Sequence, residues 1–559
     1  MNDFVIAIYG SHNASITVAR GDKILEVIEV ERFLNIKNSG LAQFKTPSTE
    51  EELKQTVRLI RDYIARKHKV ARYAKCFYMN TMVYVKEDGT ISWPGRRHDH
   101  KFDIRTFFPA DEYIQGHHQY SHASGAFYQS PYQEALSVTY DGGGNDGRCH
   151  VYHIKRGEDP VLLGTSNYDM GFSYMAFGEY LDDIKREPDI RDGNLVYPGK
   201  IMGLAPYGKV RPEWVQAFID YYKIIPEARG HIFTQGQVDT LPNLDELGNK
   251  IGYVFDAKVR FTGQLAYDIA STSQHAFELV FMEIIEPWLE KYPGLPLCIS
   301  GGCGLNIIAN TVIRNKFQRD VFVGPNPNDC GISVGMMLDY LRPEQPYDAT
   351  YAGSILYDID TFAQQKFAWS SLYKFKQVDV VDLARDIAEG KIVGVARGRA
   401  EHGARALGNR SIICDPSFPY MKDTLNEKVK HREWYRPFAP VVRLEDVSKY
   451  FEWEGESRWM SFCPQVKQEW RAILPSVTHV DGSARVQTVT RQQNPFLYDL
   501  ITEVERLTSV GVLLNTSFNV DGKPILSTVY DAFQIFNTTE IDAIVIEDTI
   551  VYKFMDAYH

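Results

Sequence analysis

The apolar positions of this chain fall into short runs broken by glycine-rich turns, with longer amphipathic stretches between them. Residues 3–33 read as strand, turn, strand, turn, strand: FVIAIYG, SHN, ASITVA, RGD, KILEVIEVERF. Apolar runs of four to eight residues between turn signals predict buried strands. Residues 135–164 repeat that grammar as ALSVTYDGG, GNDG, RCHVYHI, KRGED, PVLLG. In each copy a first strand ends in a turn, and a second leads into an Arg-Gly-Asp or Arg-Gly-Glu hairpin. Such hairpins need the positive φ that glycine tolerates. Two units about 130 residues apart predict an α/β core built by duplication. Their first loops, Gly142 and Gly143 in the second copy, would meet in a cleft and cradle phosphate through backbone N–H groups. Chance likeness between two β-hairpins is the alternative.

The longer stretches predict helices over 48–68 and 264–291. The first can be capped by Ser48 or Thr49 and carries acidic residues in its first turn. Residues 199–208, GKIMGLAPYG, read as a glycine-held loop presenting Lys200. In LPLCISGGCGLNIIANTVIRN a short buried strand ends at Gly301-Gly302 and a helix starts near Leu305. That junction suits backbone approach to a nucleotide phosphate. Asn306 and Asn310, one helical turn apart, suit ribose or base contacts as well as they suit capping and packing. Residues 341–376 carry prolines and no sustained period, which places the inter-domain connection there. The domains predicted are therefore 1–345, a linker at 346–376, and 377–559. The last opens with a helix and strand (VDLARDIAEG, KIVGVARG) and closes on the strand pair IDAIVIEDTIVYKF.

Composition adds limits. A chain of 559 residues is too long for one core. Its 44% hydrophobic and 24% charged content is that of a globular protein. No run approaches the roughly 18 apolar residues of a membrane span. MNDFVIAIYG lacks a basic region and enters a strand at once, so no signal peptide is expected. Seven cysteines without CxxC pairing argue against disulfides and structural zinc, and point to a reducing cytoplasm. The net charge of −11 weighs against extended nucleic-acid binding.

A pair of imidazoles, a pair of carboxylates and a cluster of cations carry candidate chemistry. His118 and His122 stand four apart in a segment of helical character, so both imidazoles can face one ion. Asp141 ends the following strand, and Asp329 lies at a later loop-to-helix junction, where it can act as a fourth ligand or as an N-cap. Two imidazoles and a carboxylate suit zinc, copper, nickel or ferrous iron better than magnesium or calcium; a pair of surface histidines is the plainer reading. The third group lies between Arg397 and Arg436: Arg399, Arg405, Arg410, Lys430 and Arg432, interleaved with glycine and proline. In an acidic protein this gathering of cations suits phosphate or carboxylate, a solvated basic face being the alternative. Arg485, Asn515 and Ser517 follow in segments able to close such a pocket.

These motifs together resemble the O-carbamoyltransferase family of antibiotic and nodulation-factor carbamoylating enzymes over nearly the whole length. The resemblance rests on HHQYSHASGAF, the DGGG loop, GKIMGLAPYG, SGGCGLNIIAN, NPNDCGISVG, EHGARALGNRSIICDP, KHREWYRPFAP, THVDGSARVQTV and LLNTSFN, in the family's order and spacing. It implies an N-terminal α/β domain of the duplicated actin/Hsp70-like ATPase fold, and a C-terminal α/β domain like threonylcarbamoyl-adenylate synthase. It also implies a reaction: carbamoyl-adenylate forms from carbamoyl phosphate and ATP with Mg2+ in the C-terminal domain. An enclosed route is expected to deliver the carbamoyl group to a small-molecule hydroxyl in the N-terminal one. By motif, His118, His122, Asp141 and Asp329 match metal ligands, with Fe2+ the implied ion. Arg410, Ser411, Lys430, Arg436, Asn515 and Ser517 match the carbamoyl-phosphate and adenylate pocket, with Arg405 and Arg485 near the nucleotide. Gly301, Gly302, Asn306 and Asn310 match a second nucleotide cradle, and His12 a histidine beside the acceptor. The chain departs from the family pattern at Asn13, Val30 and Asn38, where the family usually has acidic or basic residues. A nucleic-acid acceptor and a non-catalytic nucleotide-gated protein are the competing readings. Monomer and homodimer both stay open, as does the acceptor.

Overall fold

The opening apolar runs form β1 (Phe4–Tyr9), β2 (Ser15–Arg20) and β3 (Lys23–Glu29). β1 pairs antiparallel with β2, setting Ile6 opposite Val18 and Ile8 opposite Ile16. β4 (Tyr73–Met79) and β5 (Ala110–Gln115) add in parallel, giving the order β3-β2-β1-β4-β5. This computed structural model describes residues 3–41, 50–79, 84–85, 91–92, 104–184, 193–224, 244–256 and 258–554. Its contacts divide the chain into two units: Met1–Leu34 with Asn38–Ala349, and Asn35–Lys37 with Thr350–His559.

The N-terminal unit holds a second five-stranded sheet from β6 (Glu134–Gly144), β7 (Gly147–Lys155), β8 (Val161–Ser166), β9 (Leu297–Ser300) and β10 (Val321–Phe322). Its order is β8-β7-β6-β9-β10, with β6/β7 and β7/β8 antiparallel and β6/β9 and β9/β10 parallel. The two sheets match strand for strand in order and direction, so the repeated grammar of the sequence is a repeated topology. β1 and β6 are central in both and buried along most of their length, which is why they read as continuous apolar runs. Helix α1 (Glu50–His68) lays Val57, Ile60 and Ile64 against Ile6, Ile8, Ile16 and Ile28. Its expected caps, Ser48 and Thr49, lie outside the described residues.

Helix α2 (His118–Gln129) is buried at nearly every position and packs on β6. The stretch 199–208 is not a loop. Tyr197–Leu204 is a helix, α3, continued by a tight turn over Ala205–Tyr207. Pro198 suits its first turn, and burial of Ile201 and Leu204 outweighs two helical glycines. Lys200 is buried with its Nζ on the Ile184 carbonyl oxygen. Then come α4 (Gly263–Lys291), α5 (Ile307–Phe317) and α6 (Ile332–Leu341).

The C-terminal unit is built on one eight-stranded mixed sheet: β11 (Tyr373–Gln377), β12 (Val393–Ala396), β13 (Arg410–Cys414), β14 (Ala439–Arg443), β15 (Gln487–Val489), β16 (Val512–Ser517), β17 (Ala543–Ile546) and β18 (Thr549–Lys553). The order is β11-β18-β17-β12-β13-β16-β14-β15. Helices α7 (Val380–Ala388) and α8 (Pro495–Thr508) bring Leu383, Ala384, Ile387, Leu497, Leu500, Ile501 and Val504 to a core with Val393, Ile413, Leu513 and Val545. Those spacings put each apolar set on one helix face. Residues 346–376 are more than a linker, since Phe362–Ala368 is helical and the edge strand β11 starts at Tyr373. No helix among the described residues is long and apolar enough to cross a membrane.

On the buried side of α4, Tyr174 donates to Gln274 Oε1 at 2.6 Å and Gln274 Nε2 donates to Glu278 Oε1 at 2.8 Å. Burial raises the Glu278 carboxyl from 4.5 to about 7, against a smaller opposing effect of the Gln274 bond. A carboxyl raised in the folded state stabilises below its unfolded value of 4.5 and loses that contribution as pH climbs through 7. Glu278→Gln should therefore flatten the stability profile between those two values. Above pH 7 it should exceed the wild type by up to about 3 kcal/mol, read as a higher melting temperature; an unchanged pH profile would contradict this.

Candidate active sites of the two units

In the N-terminal unit, His118 opens α2 and His122 follows one turn on, so both rings leave the same face. Asp141 arrives near the end of β6 and Asp329 just ahead of α6. His118 Nε2 is 2.7 Å from Asp141 Oδ2, and His122 Nε2 is 3.5 Å from the same oxygen. Both Nε2 atoms lie 3.5 Å from Asp329 Oδ1 and 3.2 Å from each other. One donor atom from each of the four residues falls within 4.8 Å of the rest.

The carboxylates are held from behind. Asp141 Oδ1 accepts from the Gly142 and Gly302 amides at 2.8 and 3.3 Å. Asp329 Oδ2 accepts from the Tyr9 hydroxyl. Burial favours a neutral His122, but its bonds to Asp141 and Asp329 outweigh burial and raise it to about 9. The same imidazoles hold the Asp141 carboxyl well below its ordinary value despite its burial. Two buried imidazoles and two anchored carboxylates fit a divalent transition metal, and a proton competes with it for the same atoms.

The other residues expected here divide. His12 sits beside the cluster, half-exposed, with Nε2 3.4 Å from Asp329 Oδ2 and Nδ1 3.2 Å from Asn13 Oδ1. The amides of Gly142 and Gly302 are committed to Asp141, and that of Gly301 to the Pro327 carbonyl at 2.7 Å. Gly301 has φ +88° and passes so close to β6 that a Cβ would fall 2.2 Å from the Tyr140 carbonyl oxygen. Gly143, at φ +149°, is in a conformation glycine favours. Asn306 caps α5 through the Ala309 amide and exchanges bonds with Gln274, while Asn310 donates to the Gly304 carbonyl. Both asparagines thus serve the chain itself.

In the C-terminal unit, Arg405, Lys430, Arg432, Arg436 and Arg485 form one electrostatic cluster. Burial and then Arg405, Arg432 and Arg436 push Arg485 well below the usual guanidinium range. Burial and Arg436 bring Arg405 down to about 10. Burial, Arg432 and Arg436 lower Lys430, and burial and Arg436 lower Arg432, with Asp521 opposing in both cases and Glu433 also opposing at Arg432. Arg432 stacks over Phe438 at 4.4 Å, and Arg436 reaches Glu433 at 3.5 Å. Lys430 Nζ donates to the Ser517 and Asn519 carbonyls at 2.6 and 2.8 Å and to Asn519 Oδ1 at 2.6 Å. The Ser517 hydroxyl donates to Asn519 Oδ1, tying that loop together. Asn515 donates to the Ala406 carbonyl and Gln487, leaving its buried Oδ1 without a partner among the described residues.

Arg410 and Ser411 belong to the scaffold. The fully buried Arg410 guanidinium binds the carbonyls of Arg397, Asn409, Gly398 and Ser354, and Ser411 Oγ accepts from the Gly408 amide. Arg399 likewise clamps the Ala352 and Gly353 carbonyls. Sequence reasoning left Tyr9 and Asn519 unassigned. Tyr9 had a signal, since it ends β1 where Tyr140 and Asp141 fall in the matching β6.

Arg485 repels its neighbours and makes no hydrogen bond among the described residues. Arg485→Gln should therefore stabilise the ligand-free protein by on the order of 1 kcal/mol, read as a higher melting temperature. It should also remove most of the stabilisation conferred by millimolar inorganic phosphate. A lower melting temperature with phosphate stabilisation intact would show the cluster is not an anion site.

Comparison with known proteins agrees with this division. Residues 42–338 match the family model described as carbamoyltransferase N-terminus, and residues 384–553 that described as carbamoyltransferase C-terminus. The chain is 33% identical over 450 residues to nodulation protein NolNO of Sinorhizobium fredii, covering 78% of this chain and 63% of that protein. It is 31% identical over 455 residues to nodulation protein NolO of Bradyrhizobium diazoefficiens, covering 78% of each. A crystal structure of full-length HypF in the phosphate- and nucleotide-bound form aligns at TM-score 0.32 and 11% identity, over 61% of this chain and 55% of that one, a likeness too slight to carry an argument. The chain belongs to the carbamoyltransferase family.

Proposed function

We propose that this protein is an ATP-dependent O-carbamoyltransferase that forms carbamoyl-adenylate in its C-terminal unit and transfers the carbamoyl group to a hydroxyl in its N-terminal unit. The observation that carries the reading is the five-cation cluster of Arg405, Lys430, Arg432, Arg436 and Arg485. Five clustered cations, Lys430 buried and the four arginines partly buried, faced by two carboxylates are costly unless anions join them, and carbamoyl phosphate and ATP with Mg2+ bring several negative charges. The matching topology of the two N-terminal sheets supports an actin/Hsp70-like fold there, and we assign a threonylcarbamoyl-adenylate-synthase-like fold to the C-terminal unit.

The chemistry explains why two sites are needed. Nitrogen donation makes a carbamoyl carbon a poor electrophile, and a mixed anhydride with AMP supplies the leaving group it lacks. Atom balance sets the order. Water releases carbamate and phosphate from carbamoyl phosphate, then a carbamate oxygen attacks the α-phosphorus of ATP as pyrophosphate leaves. Lys430 and the arginines offset repulsion between the two anionic reactants and align them. Lys430 also orders Ser517 and Asn519 at the rim. In the N-terminal unit, His118, His122, Asp141 and Asp329 would hold a divalent metal, ferrous iron by family resemblance. When bound, that metal would supply Lewis acidity toward the carbamoyl oxygen or the adenylate phosphate. Tyr9 and the Gly142 and Gly302 amides keep the carboxylates aimed. His12, at the margin of that set, takes the proton of the acceptor hydroxyl, which belongs to a small molecule.

Lys430→Ala and Arg436→Ala should each cut carbamoyl-phosphate-dependent pyrophosphate release by about 100-fold or more. Wild-type release rates would remove the C-terminal cluster from the mechanism. His122→Ala should keep pyrophosphate release within about twofold and abolish carbamoyl transfer, followed as a carbamoyl mass gain in a cell extract given ATP and carbamoyl phosphate. Normal transfer by that variant would show that the four-residue set has no part in it.

A further inference from the structure

Helix α2 carries two of the four metal-ligand candidates, yet it lacks a cap of its own. The residue before it, His117, is extended and makes no side-chain bond to the free N–H groups of the first turn. Uncapped amides in a buried helix start are costly, so their partners matter. They come from the turn that joins β6 to β7. Asn145 Oδ1 accepts from the His118 amide at 3.0 Å. The Asp146 carboxylate accepts from the Gln119 amide at 2.9 and 3.0 Å through its two oxygens, and from the Tyr120 amide at 3.3 Å. The connection runs both ways: Asn145 Nδ2 donates to the Gly116 carbonyl, and Gln119 Nε2 donates to the Gly147 carbonyl.

The same turn also presses on the ligand side chain. Gly144 lies so near His118 that a Cβ there would fall 2.3 Å from the His118 Cβ. A glycine is thus required for the turn to reach the helix start, and the imidazole is backed by the strand that carries Asp141. One hairpin therefore supplies a ligand, caps the helix bearing two others, and limits how His118 can turn. An ordinary cap needs one residue at the position just before the helix. Here two residues more than twenty positions away take all three first-turn amides, on the one helix whose first residue is a ligand.

We infer that Asn145 and Asp146 are positioning residues for the metal site: they act through α2 and His118 to hold the imidazoles in register with Asp141 and Asp329. The negative charge of Asp146 at the helix start also favours the helix electrostatically. This inference rests on the reading of His118, His122, Asp141 and Asp329 as metal ligands. Residues behind a ligand shell typically change metal affinity by about 10- to 100-fold when removed, whereas a cap that only stabilises the fold would leave affinity alone.

Cobalt(II) provides the test, since its visible bands report coordination geometry and its affinity can be read by chelator competition on the full chain. Wild-type protein should bind about one cobalt per chain. Asp146→Ala and Asn145→Ala should lose about 10- to 100-fold in cobalt affinity and shift or weaken the bands, at a temperature where circular dichroism shows them folded. Asp146→Asn, which keeps a capping oxygen, should recover most of the affinity, and Asn145→Ser, whose shorter side chain falls short of the His118 amide, stands in with the same expected loss if the alanine variants fail to fold. Alanine or serine variants that bind cobalt within twofold of wild type with unchanged bands, even at a reduced melting temperature, would overturn the inference while leaving the metal reading intact. A wild-type protein that takes up no cobalt would overturn both.

Discussion

A charge taken out of water needs an opposite charge close by, and both sites of this protein are arranged around that constraint with opposite sign. At a separation of 4 Å two unit charges interact by about 4 kcal/mol where the effective dielectric constant is near 20. In the C-terminal unit this acts between like charges: Arg436 and the neighbouring cations lower the affinity of Arg405, Lys430, Arg432 and Arg485 for protons, with Glu433 and Asp521 as the opposing groups. In the N-terminal unit a buried and a partly buried carboxylate face two imidazoles, and the bonds to Asp141 and Asp329 drive His122 toward its charged form. An anion would balance the first arrangement and a cation the second.

Much of the fold was legible because its signals are local. Apolar runs and glycine turns located the three strands that open each N-terminal sheet, and their repetition anticipated the matching topology, while β4 and β5 went unread. The metal candidates were legible for a related reason. His118 and His122 are paired by helix geometry, and Asp141 by its place at a strand end. Helix α3 was missed because glycines at 199, 203 and 208 suggested a loop, while the decisive fact, burial of Ile201 and Leu204, is tertiary. The edge strand at Tyr373–Gln377 was hidden for the same reason, since its pairing partner lies about 175 residues away.

The arginines show where sequence reasoning stops. Arg399, Arg405, Arg410 and Arg432 fall in one glycine-rich region and look alike as letters. Arg399 and Arg410 point at backbone carbonyls and stitch the segment together. Arg405 and Arg432 lie among other cations, and Arg432 donates to Asn426 Oδ1 and the Pro437 carbonyl. A guanidinium offers five donors in a rigid fork and serves carbonyls as readily as phosphates. Only the surrounding backbone decides which role it takes, and that backbone is assembled from strands distant in sequence.

The glycine motifs follow a similar logic and change what the N-terminal unit is built for. DGGG and SGGCG invite a phosphate cradle made of free amides. The Gly142 and Gly302 amides instead converge on Asp141 Oδ1, one from each of two adjacent parallel strands' ends. That leaves Oδ2 to face His118. Two amides on one carboxylate oxygen favour its ionised form and fix its plane, and both are what a metal ligand needs. Gly144 has the same beneficiary, because its missing side chain makes room for His118. Gly142, Gly144 and Gly302 are therefore explained by the metal-ligand candidates beside them, and any nucleotide bound in this unit must be held by groups other than the amides already committed.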